Sequence, residues 1–165
     1  MGRAGFVKDE IGSALIGSRL VRDVMRLAFL MEKEYPPYAK WFGTAFSRLK
    51  SAKKLNPILT EALHSTSWEE RESHLCLAYE VLARMHNDLG ITKPVSPEVS
   101  QFFSRPFKII GGEKLAKAIV ESIKDPEIVR LTKRSLIGSI DMISDNTDVL
   151  EDQSFRLALK SLYTP

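Results

Sequence analysis

"SWEERESHLCLAYEVLARMHNDLG", residues 67–90, is the stretch whose reading decides the fold. Ser67 stands three residues before Glu70, the spacing of a capping box. There a serine oxygen accepts from a free first-turn N–H and the glutamate reaches back to the chain before it. Leu75, Tyr79, Leu82 and Leu89 follow at helical intervals and draw one apolar stripe. Gly90 supplies the left-handed residue that ends many helices. The segment predicts a helix of about 22 residues, ~33 Å long. A rod with one apolar stripe needs other rods to lie against.

Toward the N-terminus the same period returns. Leu20, Val24, Leu27 and Met31 mark a helix from about Asp9 to Glu34, and Val21, Met25 and Ala28 widen its stripe. Pro36 and Pro37 are expected to end it, because proline lacks a donor and restricts the residue before it. Trp41, Ala45 and Leu49 predict a second helix over Tyr38–Lys53, and Asn56 is placed to cap a short one starting at Pro57.

Beyond Gly90, "ITKPVSP" is rich in turn residues. "PEVSQFF" reads as one or two helical turns, and "FKIIGG" as a short extended piece. Leu115, Ile119 and Ile123 mark a helix that ends at Asp125-Pro126, and Asp125 is placed to cap the next, "PEIVRLTKR". Leu136, Ile140 and Ile143 predict one more, and Phe155, Leu159 and Leu162 the last. "DNTDVLEDQ" between them is an acidic loop with Asp148 or Asp152 as a cap. No run of alternating β-branched residues is long enough for a sheet. The expectation is all-α: a helical bundle of two long and several shorter helices. It is read as a single domain over residues 1–165, with 1–8 flexible.

Composition narrows the function classes. The chain has 165 residues, 44% hydrophobic and 27% charged, as a globular protein does. A net charge of +3 is too mild for a dedicated nucleic-acid binder, so nucleic acid is not an expected partner. Cys76 is the single cysteine, which leaves no internal disulfide and fits a reducing compartment. "MGRAGFVKDE" has no apolar signal core, and the longest apolar run, "LAFLM", cannot span a bilayer. A cytoplasmic protein without a membrane partner is expected.

The chemistry-bearing residues are sparse. "IIGGEKLAK" lacks the glycine spacing and the Ser or Thr of a P-loop, and Gly111 and Gly112 read as a turn. His64, His74 and His86 are too far apart for a local zinc motif. No catalytic residue, metal ligand or cofactor is assigned, and enzymatic activity is left open.

Four groups remain as candidates. Arg19 and Arg22, with Arg26, share a helix face and can clamp a phosphate or simply be solvated. His86 lies on the apolar stripe of its helix, which favours a hydrogen-bonded core residue over a titrating one in a cleft. Asp141 and Asp145 share a face with Gly138. They can hold a divalent cation or position a base, or stand exposed. Finally, "YPPYAKWFGTAF", residues 35–46, crowds rings around a corner. Trp41 and Phe46 are expected mainly in the core. Tyr38 and Lys40 are expected to face a ligand or partner domain, and Gly43 to let a neighbouring backbone or a ligand come close.

"RLVRDVMRLAFLMEKEYPPYAKWFGTAFSRL", "AYEVLARMHNDLG", "SRPFKII" and "DNTDVLE" together resemble an uncharacterised prokaryotic family, domain of unknown function 4037. The likeness runs from about Asp9 to Glu151. The resemblance implies the helical C-terminal half of nucleotidyltransferase-like proteins, similar to kanamycin nucleotidyltransferase. In those proteins the companion domain carries the carboxylates that hold magnesium. This chain has no Gly-Ser turn followed by an Asp-x-Asp strand, so no catalytic residue carries over. Magnesium with a nucleotide is expected only through a partner domain.

Three functional expectations follow. The first is a non-catalytic, substrate-binding or accessory half that works with a nucleotidyltransferase-like domain through Arg19, Arg22, Tyr38, Lys40, Trp41 and His86. The second is a self-contained small-molecule or nucleotide-binding bundle, with Asp141, Asp145 and His86 as its chemistry. The third is a homodimerising scaffold.

Overall fold

The computed structural model describes residues 1–133, 138, 149 and 152–163. Its chain falls into two compact units, Met1–Ile119 and Val120–Pro165. The first holds α1 (Gly2–Phe6), α2 (Glu10–Glu32), α3 (Ala39–Phe46), α4 (Ala52–His64) and α5 (Trp68–Asp88). A two-stranded antiparallel hairpin follows, β1 (Ser100–Gln101) and β2 (Lys108–Ile109), with Ser100 opposite Ile109 and Gln101 opposite Lys108. After it come α6 (Gly112–Ser122), α7 (Pro126–Leu131), α8 (Gln153–Leu159) and a 3-10 turn at Lys160–Leu162. The protein is predominantly α, as the periodicity predicts.

Local chemistry explains the element ends. The Asp9 carboxylate accepts from Gly12 N at 2.8 Å and starts α2. α2 stops before the prolines. Lys33 turns left-handed at φ 60°, and Glu34 N donates back to Phe29 O. Ser67 Oγ accepts from Glu70 N, and Glu70 Oε2 accepts from Thr66 N, so the capping box forms with its return bond one residue early. Gly90 sits at φ 64° just past α5. Asp125 and Asp152 cap α7 and α8 as expected.

Three helices pack in the first unit, α2 and α4 each lying on α5. Val21, Val24, Ala28 and Phe29 of α2 meet Leu55, Leu59 and Ala62 of α4, and Leu75, Ala78 and Leu82 of α5. Phe46 of α3 closes the core, its ring 6.2 Å from that of Phe29. α1 leans on the start of α5. Gly5 is the contact, because the Trp68 ring fills the space that a Cβ there would need. Residues 2–6 form this short helix.

The sequence reading differs at other points. Tyr38–Lys53 is not one helix: α3 ends at Phe46, and a turn runs to α4. Glu32 holds that break, accepting from Lys50 N at 2.9 Å and Ser51 N at 2.8 Å. Pro57 sits inside α4, past its first turn, and does not begin it; lacking an N–H, it leaves a helical backbone bond unmade. "PEVSQFF" contributes β1 and no helical turn, because Phe102 N finds its partner across the hairpin, at Phe107 O. The helix expected at Leu136–Ile143 lies outside the described residues.

Candidate functional site

The corner between α2 and α3 exposes three aromatic rings. Tyr35 is 89% exposed, Tyr38 52% and Trp41 51%. Phe42, by contrast, turns inward, its ring tilted against that of Phe29 at 5.4 Å. The helical period causes the split. Phe42 and Phe46 are four apart and share the inner face of α3, while Trp41 falls on the outer face. Trp41 is thus a surface residue, contrary to the expectation that it packs mainly in the core; Phe46 is buried as expected. Lys40 Nζ lies 5.4 Å from the centre of the Trp41 ring, a cation–π pair that orders both side chains. A Cβ on Gly43 would meet nothing within 4 Å, so open space adjoins the corner.

Beside the corner the surface is concave. One cleft of about 450 Å³ is lined by Glu32, Lys50, Ser51, Lys54, Val81, Arg84, Met85 and Asp88. A second, of about 490 Å³, shares Glu32, Lys50, Met85 and Asp88 with it and extends along Met31–Glu34, the residues just before Tyr35. Glu32 is the hinge of this region. Burial works to raise its pKa, but hydrogen bonding from Ser51 and Lys50 and the Lys50 charge outweigh it. The carboxyl therefore sits below its ordinary value.

The other sequence candidates fall elsewhere. Arg19 is exposed on α2 and Arg22 half-buried, more than two turns before the corner. His86 is 4% exposed and does not join Tyr38 and Lys40. Its Nε2 lies 2.9 Å from Thr92 Oγ1, and the Thr92 hydroxyl spends its proton on Lys93 O. Asn87 continues the link, donating to Val95 O at 2.8 Å and accepting from Val95 N at 2.9 Å. These two residues pin the 89–95 loop to the end of α5. Asp141 and Asp145 lie outside the described residues. Among the described residues, no three His, Cys, Asp or Glu side chains converge as a metal site would require.

Sequence reasoning missed Arg71. It is buried on α5, and its guanidinium donates to Ser13 Oγ at 2.9 Å, Ser65 O at 2.8 Å and Glu10 Oε2 at 3.4 Å. Glu10 also accepts from Trp68 N, so one carboxylate serves the starts of α2 and α5. The signal was present. Trp68, Arg71, Leu75, Ala78, Leu82 and His86 are spaced by three and four, which places Arg71 inside the buried stripe.

Fold and site define a helical module with an aromatic corner and an open cleft. Residues 1–42 match the family model described as Domain of unknown function (DUF4037), which bears out the resemblance over that segment. The matched segment includes α2 and the corner through Phe42. No match to the chain was found among curated proteins or solved structures. No helix among the described residues is long and apolar enough to cross a membrane.

Proposed function

We propose that the chain is a non-catalytic accessory module that docks onto a nucleotidyltransferase-like domain through the corner formed by Tyr35, Tyr38, Lys40 and Trp41. The observation that carries this reading is the exposure of three rings on consecutive elements while neighbouring Phe42 and Phe46 are tucked inward. Surface tyrosine and tryptophan side chains bring large contact area with few rotors to freeze, and they dominate the energetics of many interfaces. Lys40, held over Trp41, adds a charge that an acidic partner surface can read. The partner's identity rests on the family resemblance alone.

A second copy of this chain is a poorer occupant. The outer face of α2 exposes Ile11, Leu15 and Leu30, but Arg19, Arg22 and Arg26 share that face. A symmetric pairing through it would bring guanidinium groups together. The test is co-elution of the chain with a nucleotidyltransferase-like domain in size-exclusion chromatography. A Tyr38→Ala/Trp41→Ala double variant should abolish the complex while keeping its helical circular dichroism. A complex that tolerates the double variant would refute the docking surface.

A further inference from the structure

Two neighbouring tips of the first unit carry exposed phenylalanine rings among cations. One is the end of α1, where Phe6 is 58% exposed and Val7 68%. The other is the turn of the hairpin, where Phe103 is 83% exposed. A chain of rings joins them. Phe103 meets Phe102 at 5.0 Å, Phe102 stacks on Phe107 at 6.4 Å, and Phe107 lies T-shaped to Phe6 at 6.5 Å. The hairpin beneath is fastened, with Phe102 N donating to Phe107 O and Lys108 N to Glu72 Oε1 of α5.

Phe103 is the unexplained member. It sits at φ 54°, in the left-handed region that a bulky residue rarely adopts. Glycine or asparagine would make this turn at less cost. The turn instead gives up stability to hold a ring out in water, a pattern that points to use. Phenylalanine has no polar handle, so the patch offers apolar area with little directional hydrogen bonding. It differs in this from the Tyr38–Trp41 corner beyond the far end of α2.

Charge says what that area meets. Residues 1–8 and 100–109 hold Arg3, Lys8, Arg105 and Lys108 and no carboxylate. Among the described residues, none of the four is in an ion pair. Arg105 lies over the Phe102 ring, 5.2 Å from its centre, with its charge beside the tip. Of the acids next to the patch, Asp9 is bound to Gly12 N and Glu72 to Lys108 N.

We propose that this face docks on an anionic lipid surface. Phe6, Val7 and Phe103 enter the boundary between headgroups and acyl chains, and Arg3, Lys8, Arg105 and Lys108 meet the anionic headgroups around them. Long basic side chains suit that depth, since their stems lie on apolar groups while their heads stay in the polar layer. Val7 favours lipid over a single-stranded nucleic acid, because an aliphatic chain offers a base no stacking face. Peripheral binding of this kind needs no spanning helix.

Co-sedimentation of the full chain with phosphatidylcholine vesicles, with and without phosphatidylserine, tests it, and oligothymidylate is titrated separately. Partition onto the phosphatidylserine vesicles alone is expected, and added salt should weaken it. Phe103→Gly should lower the partition about tenfold without lowering the melting temperature, since glycine relaxes the turn. A Lys8→Gln/Arg105→Gln double variant should lower it by a similar factor. No partition onto the anionic vesicles would overturn the proposal, as would partition that either variant leaves unchanged. Binding of oligothymidylate without vesicle binding would also overturn it, assigning the face to nucleic acid.

Discussion

Arg71 Cδ occupies the space that a Cβ on Gly17 would need, so the glycine of α2 and the arginine of α5 fit together as notch and peg. The arginine cannot swing away without giving up its bonds to Ser13, Ser65 and Glu10. Gly17→Ala is therefore expected to destabilise the fold by about 1–3 kcal/mol, although alanine is the better helix former. Urea denaturation measures it. An unchanged or raised midpoint would show that the notch is slack.

The Glu32 carboxylate sets the acid limit of the α2–α4 junction. Its folded pKa lies below its unfolded one, so its contribution to stability is present above the unfolded value and fades as pH falls through the folded value. Glu32→Gln keeps one acceptor and loses the charge. It should cost about 1 kcal/mol at neutral pH, and the difference from wild type should shrink in acid. Melting temperatures of both proteins across the acid range check this; a constant gap would rule out the ionised carboxylate as the cause.

Cys76 should be inert in the native state. Burial, then the Glu72 and Glu80 charges, push its thiol up to about 11 against the opposing pull of Lys108. At pH 8 little thiolate forms. Ellman's reagent is expected to react only as fast as the chain opens, and promptly in denaturant. Rapid labelling of the folded chain would contradict the burial.

His86→Ala is expected to lower stability by about 1–3 kcal/mol, through the loss of the bond to Thr92. It should loosen the 89–95 loop, which hydrogen exchange over residues 89–95 reads. A stable variant with unchanged exchange would return His86 to the list of functional candidates.

Which of these features was legible beforehand follows a physical line. Caps and stripes are local, so α2 and α5 are read from Asp9, Ser67, Gly90 and their leucines nearly to the residue. The hairpin at 100–109 depends on pairing across a turn, and no period within "PEVSQFF" announces that. The break at residues 47–51 depends on Glu32, some eighteen residues earlier in the chain. The exposure of Trp41 was hidden because a ring's period within a short helix leaves two faces open until Phe29 chooses between them. Arg71 was overlooked because charge argues for the surface, while its spacing placed it within.

The docking role of the corner is tested most directly by the quenching of tryptophan fluorescence with acrylamide. Trp68 is 9% exposed and Trp41 51%, so Trp41 should supply nearly all the quenchable emission of the free chain. Adding a nucleotidyltransferase-like domain should shield that emission, and Trp41→Phe should remove it. Emission that stays fully quenchable at saturating partner would contradict the account.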